Sequence, residues 1–312
     1  MKIIASPANY NEALLLLKHN VDVLVLANNN YAVRNVYNCD LETIKKLCAQ
    51  KQNSEIWVNV NAFFYEPQIK ELENYLTELS QLPIDRVIFN DYAVAQINYE
   101  QNLNLKLHYD PNTLVTSYGQ LDFYKENGFN SVSLSNELFL PEIKMILENK
   151  IPGLELCLQV HGFALIMHSR WNLVTNFKDY IEDKDDEYIR NKIYIIKEEK
   201  RKYSNLIFED NHGTHMFSGY ELCLIKYLKI LNEYSLDYIR IDNILQSQDK
   251  NYSIEIVKIY QKALQYINEN HQDLDSKLDT AYNECLQFAK DENKVASGFV
   301  GGIKEIKHYE NI

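Results

Sequence analysis

Short apolar runs alternate with amphipathic stretches along most of this chain. The runs are IIASPA (3–8), VDVLVLA (21–27), IWVNVNAF (56–63), RVIFND (86–91), LKLHYD (105–110), SVSLSNE (131–137), LELCLQVHG (154–162) and DYIRID (237–242). Between them, NEALLLLKHN, LETIKKLCAQ, EPQIKELENYLTEL and LPEIKMILEN carry apolar residues at i, i+3 and i+4, the spacing of a helix with one buried face. Continuous β-branched runs separated by helices predict a parallel sheet covered on both faces. Eight strands over about 250 residues match the size of a (β/α)₈ barrel. An α/β fold of the TIM-like (β/α)₈ type is therefore expected, with an open doubly wound sheet as the alternative that periodicity alone does not separate.

The beat breaks once, between strands seven and eight. Residues 178–209, KDYIEDKDDEYIRNKIYIIKEEKRKYSNLIFE, form a charged insertion that is acidic first and basic afterwards. Its plain reading is a solvated helix of mixed charge. The sharper reading is a lid or phosphate-contacting arm built on Lys192, Lys197, Lys200, Arg201 and Lys202. The barrel is expected over residues 1–270. The tail, 271–312, ends in SGFVGG and is expected to pack on the barrel.

Composition narrows the function classes. Hydrophobic residues make up 46% and charged residues 24%, enough for a full core and too apolar for disorder. The net charge of −12 argues against a broad nucleic-acid-binding surface and leaves room for a local basic patch. No apolar run reaches the ~18 residues of a membrane span. The N-terminus lacks a secretory layout, so a cytoplasmic protein without membrane contact is expected. Five scattered cysteines (Cys39, Cys48, Cys157, Cys223, Cys285) form no CxxC, which fits neither a disulfide framework nor a local metal knuckle. Buried reduced thiols are expected.

Barrel chemistry sits at the C-terminal ends of strands. Those positions hold Asn28 and Arg34, Asn61, Asn90 and Asp91, Asp110, Glu137, His161 and Asp242. Any one Asn or Asp there can equally be a helix N-cap. Four of the eight histidines, His161, His168, His212 and His215, fall beside strand seven and the insertion. Glu209-Asp210-Asn211-His212-Gly213-Thr214-His215 offers imidazoles and carboxylates, either to a metal, to acid–base work or to holding the loop. GxSxG, HExxH and GxxxxGK[ST] are all missing.

At QVHGFALIMHSRWNLVTN (159–176) and EDNHGTHMFSGYELCLIKYL (209–228) the sequence resembles the U32 peptidase family, the collagenase-like proteases. SPANYNEAL, LANNNYAVRN, VNVNAFF, LSNELFLPEIKMI, DYIRIDNILQS and the terminal SGFVGG also have family counterparts, so the resemblance runs along the whole chain. It implies a TIM-like barrel and oxygen-insertion chemistry, such as hydroxylation of tRNA wobble uridine, by members that carry an iron–sulfur cluster on four cysteines. Leu165 and Asn172 stand where the first two of those cysteines belong, and the insertion holds none. No cluster and no metal are therefore expected. The resemblance implies a cluster-less subunit acting with a longer, cluster-bearing paralogue, with a possible tRNA contact through 192–202 and prephenate as a co-substrate. The alternatives are a peptidase and a non-catalytic binding barrel. The residues expected to carry chemistry are His161, His212, Glu209 and Asp242. Arg34, Asn61, Asp110, Glu137, Arg170 and His215 are expected to bind substrate, with Arg34 and Arg170 as carboxylate partners by their fork geometry.

Overall fold

The computed structural model describes residues 1–182, 192–199, 202–246 and 251–302. Its first seven strands are β1 (Lys2–Ala5), β2 (Val23–Ala27), β3 (Glu55–Val60), β4 (Arg86–Phe89), β5 (Leu107–Tyr109), β6 (Ser131–Ser133) and β7 (Glu155–Ser169). They pair side by side in chain order, all parallel. After them come β8 (Tyr194–Ile196), β9 (Asn205–Asp210), β10 (Gly213–Cys223), β11 (Tyr238–Ile241) and β12 (Val295–Ala296). β11 pairs in parallel with both β7 and β1, which closes an eight-stranded barrel. The barrel is the fold that the sequence rhythm predicts, and closure removes the open doubly wound alternative.

The helices that cover it are α1 (Tyr10–Lys18), α2 (Leu41–Cys48), α3 (Ile69–Ser80), α4 (Tyr92–Glu100), α5 (Leu121–Glu126) and α6 (Leu140–Glu148). Four more follow: α7 (Leu173–Tyr180), α8 (Leu228–Glu233), α9 (Tyr252–Asn268) and α10 (Leu274–Leu286). Loop Asn and Asp residues start several of them, Asp91 being one of the strand-end candidates. Asn9, Asp40 and Asp91 each accept a backbone N–H in the first turn of α1, α2 and α4, which satisfies donors that the helix itself cannot. The layer between strands and helices is one continuous apolar cluster running from Ile3 to Val300. Among the described residues no helix is long and apolar enough to cross a membrane.

Alternation along the strands sorts the barrel interior into layers. At the N-terminal end, Arg86 bonds Ser131 Oγ at 2.8 Å, Tyr238 Oη at 3.1 Å and Glu155 Oε2 at 2.6 Å, under the Trp57 ring. A buried guanidinium is tolerated there because both terminal nitrogens are paired and a second carboxylate, Glu55 Oε2, lies 3.9 Å from Nε. Above it lie Trp57, Cys157, Tyr238 and His108, whose ring nitrogens meet Ser131 and Ser133 at 2.7 and 2.9 Å. The layer nearest the strand C-termini is polar and forms the site described below.

β7 is 15 residues long because it serves two sheets. Its first half is a barrel strand. Its second half leaves the barrel and pairs antiparallel with β10, which pairs with β9, and β9 with β8. The described part of the charged insertion is thus strands β8 and β9 with helix α7 before them, where the charge pattern alone suggested a solvated helix. Residues 183–191 and 200–201, with Lys200 and Arg201 of the proposed arm, lie outside the described residues.

The changeover has a local cause. Arg240 faces Gln159, yet the next residue, Ile241, faces His161, so Val160 is an extra residue on β7. This bulge reverses the in–out phase of everything after it. Gly162 follows at φ +97°, and a Cβ there would lie 2.3 Å from the Asp242 carbonyl oxygen. No L side chain fits. Gly162→Ala is expected to cost about 3 kcal/mol in a urea unfolding series. A loss below about 0.5 kcal/mol, the usual effect of a surface change, would show that the junction relaxes and that the glycine is not required.

Candidate functional site

The C-terminal end of the barrel opens into a small polar cavity of about 50 Å³. Arg34 and Asn35 reach it from the loop after β2, Asn59 and Asn61 from β3, Asp110 and Asn112 from the end of β5. Gln159 of β7, Arg240 of β11 and Asp242 just after it join them, as do Ser6 and Asn243, with Phe163, Leu165 and Phe217 as an apolar roof from the antiparallel sheet. Arg240 joins the set together. It donates from Nη1 to Asp110 Oδ2, and its Nη2 lies 3.2 Å from Asp242 Oδ2 and 3.5 Å from Gln159 Oε1. Asn61 Oδ1 accepts the Val33 N–H at 2.9 Å and so fixes the Arg34 loop. Arg34 itself sits at φ +60°, an uncommon conformation for a side-chain-bearing residue and one that recurs at functional sites.

Charge is distributed unevenly over this set. Burial pushes the Asp110 carboxyl up, but Arg240, with His108 and Arg34 behind it, outweighs that and holds it below the carboxylate range. Asp242 goes the other way: burial raises it, Asp110 adds to the rise, and Arg240 offsets it only in part. Burial lowers Arg34 to about 10, and Asp110, Asp242 and Asp210 keep it charged at neutrality. Asp110 Oδ1, Arg240 Nε and Asn59 Oδ1 are buried without a hydrogen-bond partner. Buried polar atoms need partners, so these are positions that a polar ligand can satisfy. The set can orient a small anionic or amide-bearing ligand, and Asp242 is the group best placed to exchange a proton with it.

Outside this cavity the site widens in two directions. A cavity of about 810 Å³ shares Arg34, Asn35 and Ile244 with the mouth and adds Asn29, Phe208, Asp210, His212 and Lys290. A groove of about 400 Å³ lies on the other side of His212, walled by Phe63, Tyr65, Gln68, His168, Arg170 and Asn172. Arg170 lies 3.6 Å over the Tyr65 ring, and His168 stacks on Phe63. His212 Nε2 lies 2.9 Å from the Asn29 carbonyl, which ties the antiparallel sheet to the β2 loop. Asp210 Oδ1 accepts the His212 backbone N–H at 2.7 Å and meets His215 Nε2 at 3.0 Å.

The residues expected from sequence therefore fall into distinct places. Arg34, Asn61, Asp110 and Asp242 meet at the barrel mouth, and His212 and Arg170 line the wider openings. His215 is fully buried behind Asp210, against His168 and Phe208, and lines none of these three cavities. Glu209 is 2% exposed, and its carboxylate accepts the Val174 and Thr175 N–H groups and the Thr175 hydroxyl. It caps the first turn of α7, which occupies both oxygens. Glu137 is exposed in the loop after β6 and lines none of these cavities, while its neighbour Asn136 bonds Gln159 at 2.8 Å. His161 is turned out of the barrel by the bulge, towards Tyr252 and Tyr260 of α9. Sequence reasoning did not single out Arg240, Gln159 or Asn59 as site residues. Strand alternation was the available signal, since each lies two positions from a residue or cavity wall on the same face.

Two consequences are measurable. His108 is held at about 3 and His168 at about 4, in both cases chiefly by burial. Both are neutral when folded, and the unfolded chain protonates first, near the ordinary value of about 6.5. Their contribution to stability is therefore complete above that pH and is lost as pH falls towards 4. Denaturant midpoints at pH 7.5, 6 and 4.5 should drop, and His168→Gln should flatten the drop; an unchanged slope in that variant would place the loss elsewhere. Glu209→Ala should cost about 1 kcal/mol through the lost cap, read as a lower melting temperature, and Glu209→Gln should recover part of it.

Comparison with known proteins gives the family. Residues 8–310 match peptidase family U32. The tRNA hydroxylation protein P2 of Bacillus subtilis is 27% identical over 304 residues, 96% of each chain. The tRNA hydroxylation protein P1 of the same organism is 20% identical over 84% of this chain and 63% of its own length. An uncharacterized protease of Methanocaldococcus jannaschii is 26% identical over 78% of this chain and 57% of its own. This chain thus spans less than two thirds of those two longer relatives. A solved U32 peptidase structure aligns with a TM-score of 0.49 at 12% identity, covering 77% of this chain and 92% of that one. The chain belongs to peptidase family U32.

Proposed function

We propose that this protein takes part in tRNA hydroxylation as a subunit without an iron–sulfur cluster, acting with a longer U32 paralogue that carries one. The observation that carries the reading is a separation of charge and thiols. The barrel mouth has the Arg34, Asp110, Arg240 and Asp242 set, while all five cysteines are buried elsewhere. Cys157 lies inside the barrel among Ile4, Trp57 and Tyr238, Cys48 is on α2 and Cys39 precedes it, and Cys223 and Cys285 sit together under α9. No four share a site. Leu165, at the position of a family cluster cysteine, is part of the apolar roof. A four-thiolate cluster does not fit this chain, so no step is routed through one.

The relatives support the same reading. Bacillus subtilis has both a P2 protein matched end to end and a longer P1 protein, a pairing of short and long paralogues. A partner also accounts for the outer surface of the antiparallel sheet. Trp171 before α7, Phe177 and Tyr180 on α7, and Ile195 on β8 are 71%, 61%, 85% and 59% exposed, large apolar side chains of the kind an interaction face carries. Lys192 and Lys197 border β8 and Lys202 precedes β9 in the chain, and their charge suits an RNA backbone. An anionic co-substrate such as prephenate would meet Arg34 in the larger cavity. Peptide hydrolysis is less well supported, because among the described residues the mouth cavity is lined by Ser6 but by no histidine to activate it.

A deletion strain is expected to lose 5-hydroxyuridine-derived nucleosides from its tRNA, read by nucleoside mass spectrometry. Wild-type protein should restore them, whereas Arg34→Ala and Asp242→Asn should restore about a tenth or less, as expected for loss of a charge-assisted contact. The longer paralogue should copurify with the tagged protein. Unchanged tRNA in the deletion strain overturns the proposal.

A further inference from the structure

The His161 side chain, turned away from the barrel mouth, arrives in a second cluster. Cys223 at the end of β10 and Cys285 on α10 meet it there, and the three potential ligand atoms lie within 4.8 Å of one another. All three residues are at most 2% exposed. Glu221 is on the same strand as Cys223 and is equally buried, with Oε1 3.3 Å from His161 Nε2.

The hydrogen bonds around the ring settle which nitrogen is available. The Tyr260 hydroxyl donates to the Val160 carbonyl at 3.0 Å. Its oxygen is therefore the acceptor for His161 Nδ1–H, 3.2 Å away. That contact places a proton on Nδ1, and Nε2 faces inward, buried beside Glu221 Oε1 and turned towards the two sulfurs. A second group fixing the outer nitrogen is the usual arrangement around metal-binding imidazoles. The carboxylate is prepared as well: Tyr252 Oη donates to Glu221 Oε1, and the Lys290 backbone N–H approaches Oε2 at 3.4 Å. Two thiols, one imidazole nitrogen and a carboxylate are thus brought together inside the protein from β7, β10 and α10.

We propose that His161, Cys223 and Cys285, with Glu221 as fourth ligand, form a buried site for a thiophilic divalent cation, zinc above all. Two sulfurs, one nitrogen and one oxygen suit a tetrahedral d¹⁰ ion that prefers mixed nitrogen and thiolate donors. On binding, each thiol loses its proton to solvent and the sulfur's electron pair forms the metal bond, so the oxidation state of sulfur and metal is unchanged. The ion would stitch the β7–β10 junction to α10, which joins the C-terminal helices to the barrel. The site is distinct from the barrel mouth and does not depend on the reaction proposed above. Residues 161, 223 and 285 are too far apart in sequence for any spacing motif to show it.

Full-length protein, purified without chelator from zinc-supplemented cells, should contain about one equivalent of zinc per chain by plasma mass spectrometry. Cys285→Ser should lose most of it, and Cys48→Ser, on α2, should keep it. Cobalt added to metal-stripped wild-type protein should give the intense visible bands of a tetrahedral ion and a thiolate charge-transfer band, both missing from Cys285→Ser. Because that variant could misfold, the melting temperature of stripped wild-type protein is measured with and without zinc, and a rise is expected. Folded wild-type protein with all thiols reduced that holds less than a tenth of an equivalent, and gives neither cobalt bands nor a melting shift, overturns the site. So does a Cys223–Cys285 disulfide found in the native protein by mass spectrometry without reductant.

Discussion

One extra residue in β7 governs most of what is particular to this barrel. Without Val160 as a bulge, the alternation that points Glu155, Cys157 and Gln159 inward would carry His161 into the mouth and Gly162 to the outside. With it, the strand shifts phase, lets the Asp242 backbone approach at Gly162, and continues beyond the barrel as a partner for β10. The apolar roof of Phe163, Leu165 and Phe217, the wider cavities and the outward histidine all follow from that shift. A bulge at a barrel rim re-aims side chains in this way because strand geometry allows no gradual change of face.

The barrel interior is a second constraint, and it is electrostatic. Two guanidiniums, Arg86 below and Arg240 above, are buried on the axis with Trp57, His108 and Tyr238 between them. Each has carboxylates to offset the cost of leaving water: Glu155 for Arg86, and Asp110 and Asp242 for Arg240. The lower pair closes the barrel floor. The upper set differs because two acids share one arginine, so one is held ionised and the other is pushed up. That inequality gives the mouth a group able to exchange protons, which a fully paired network would not provide.

The strands and helices were legible because each is short, strongly periodic and bounded by polar residues. Asp110 and Asp242 were legible as strand-end acids on the buried phase of their strands. His161 was misplaced by the same logic, since alternation holds only until a bulge, and one residue's offset leaves no mark in composition. The insertion was read from its charge as helix. Its described strands, β8 and β9, are held by pairing to β7 and β10, which are distant in sequence, and local pattern does not register such partners. Glu209 looked reactive beside two histidines, yet it caps α7, a helix that charge patterning gave no reason to place next to it. Arg240 was hidden for the opposite reason: an arginine inside an apolar strand reads as an interruption until Asp110 and Asp242 are seen beside it.

Net charge ties these observations to the proposed role. A chain at −12 repels a polyanion at long range, and screening at physiological salt confines any attraction to within about 8 Å of a cation. Arg170 on Tyr65, and Lys192, Lys197 and Lys202 beside β8, are cations of that local kind, and they lie along the antiparallel sheet, away from the barrel floor. RNA held by such a surface alone would be held weakly, because the counterions released are few. The same sheet carries exposed apolar side chains, so a protein partner seated there would add both buried area and a continuous surface for the RNA. The barrel mouth opens into the larger cavity through Arg34, Asn35 and Ile244, which line both, while Asp242 stays within the mouth.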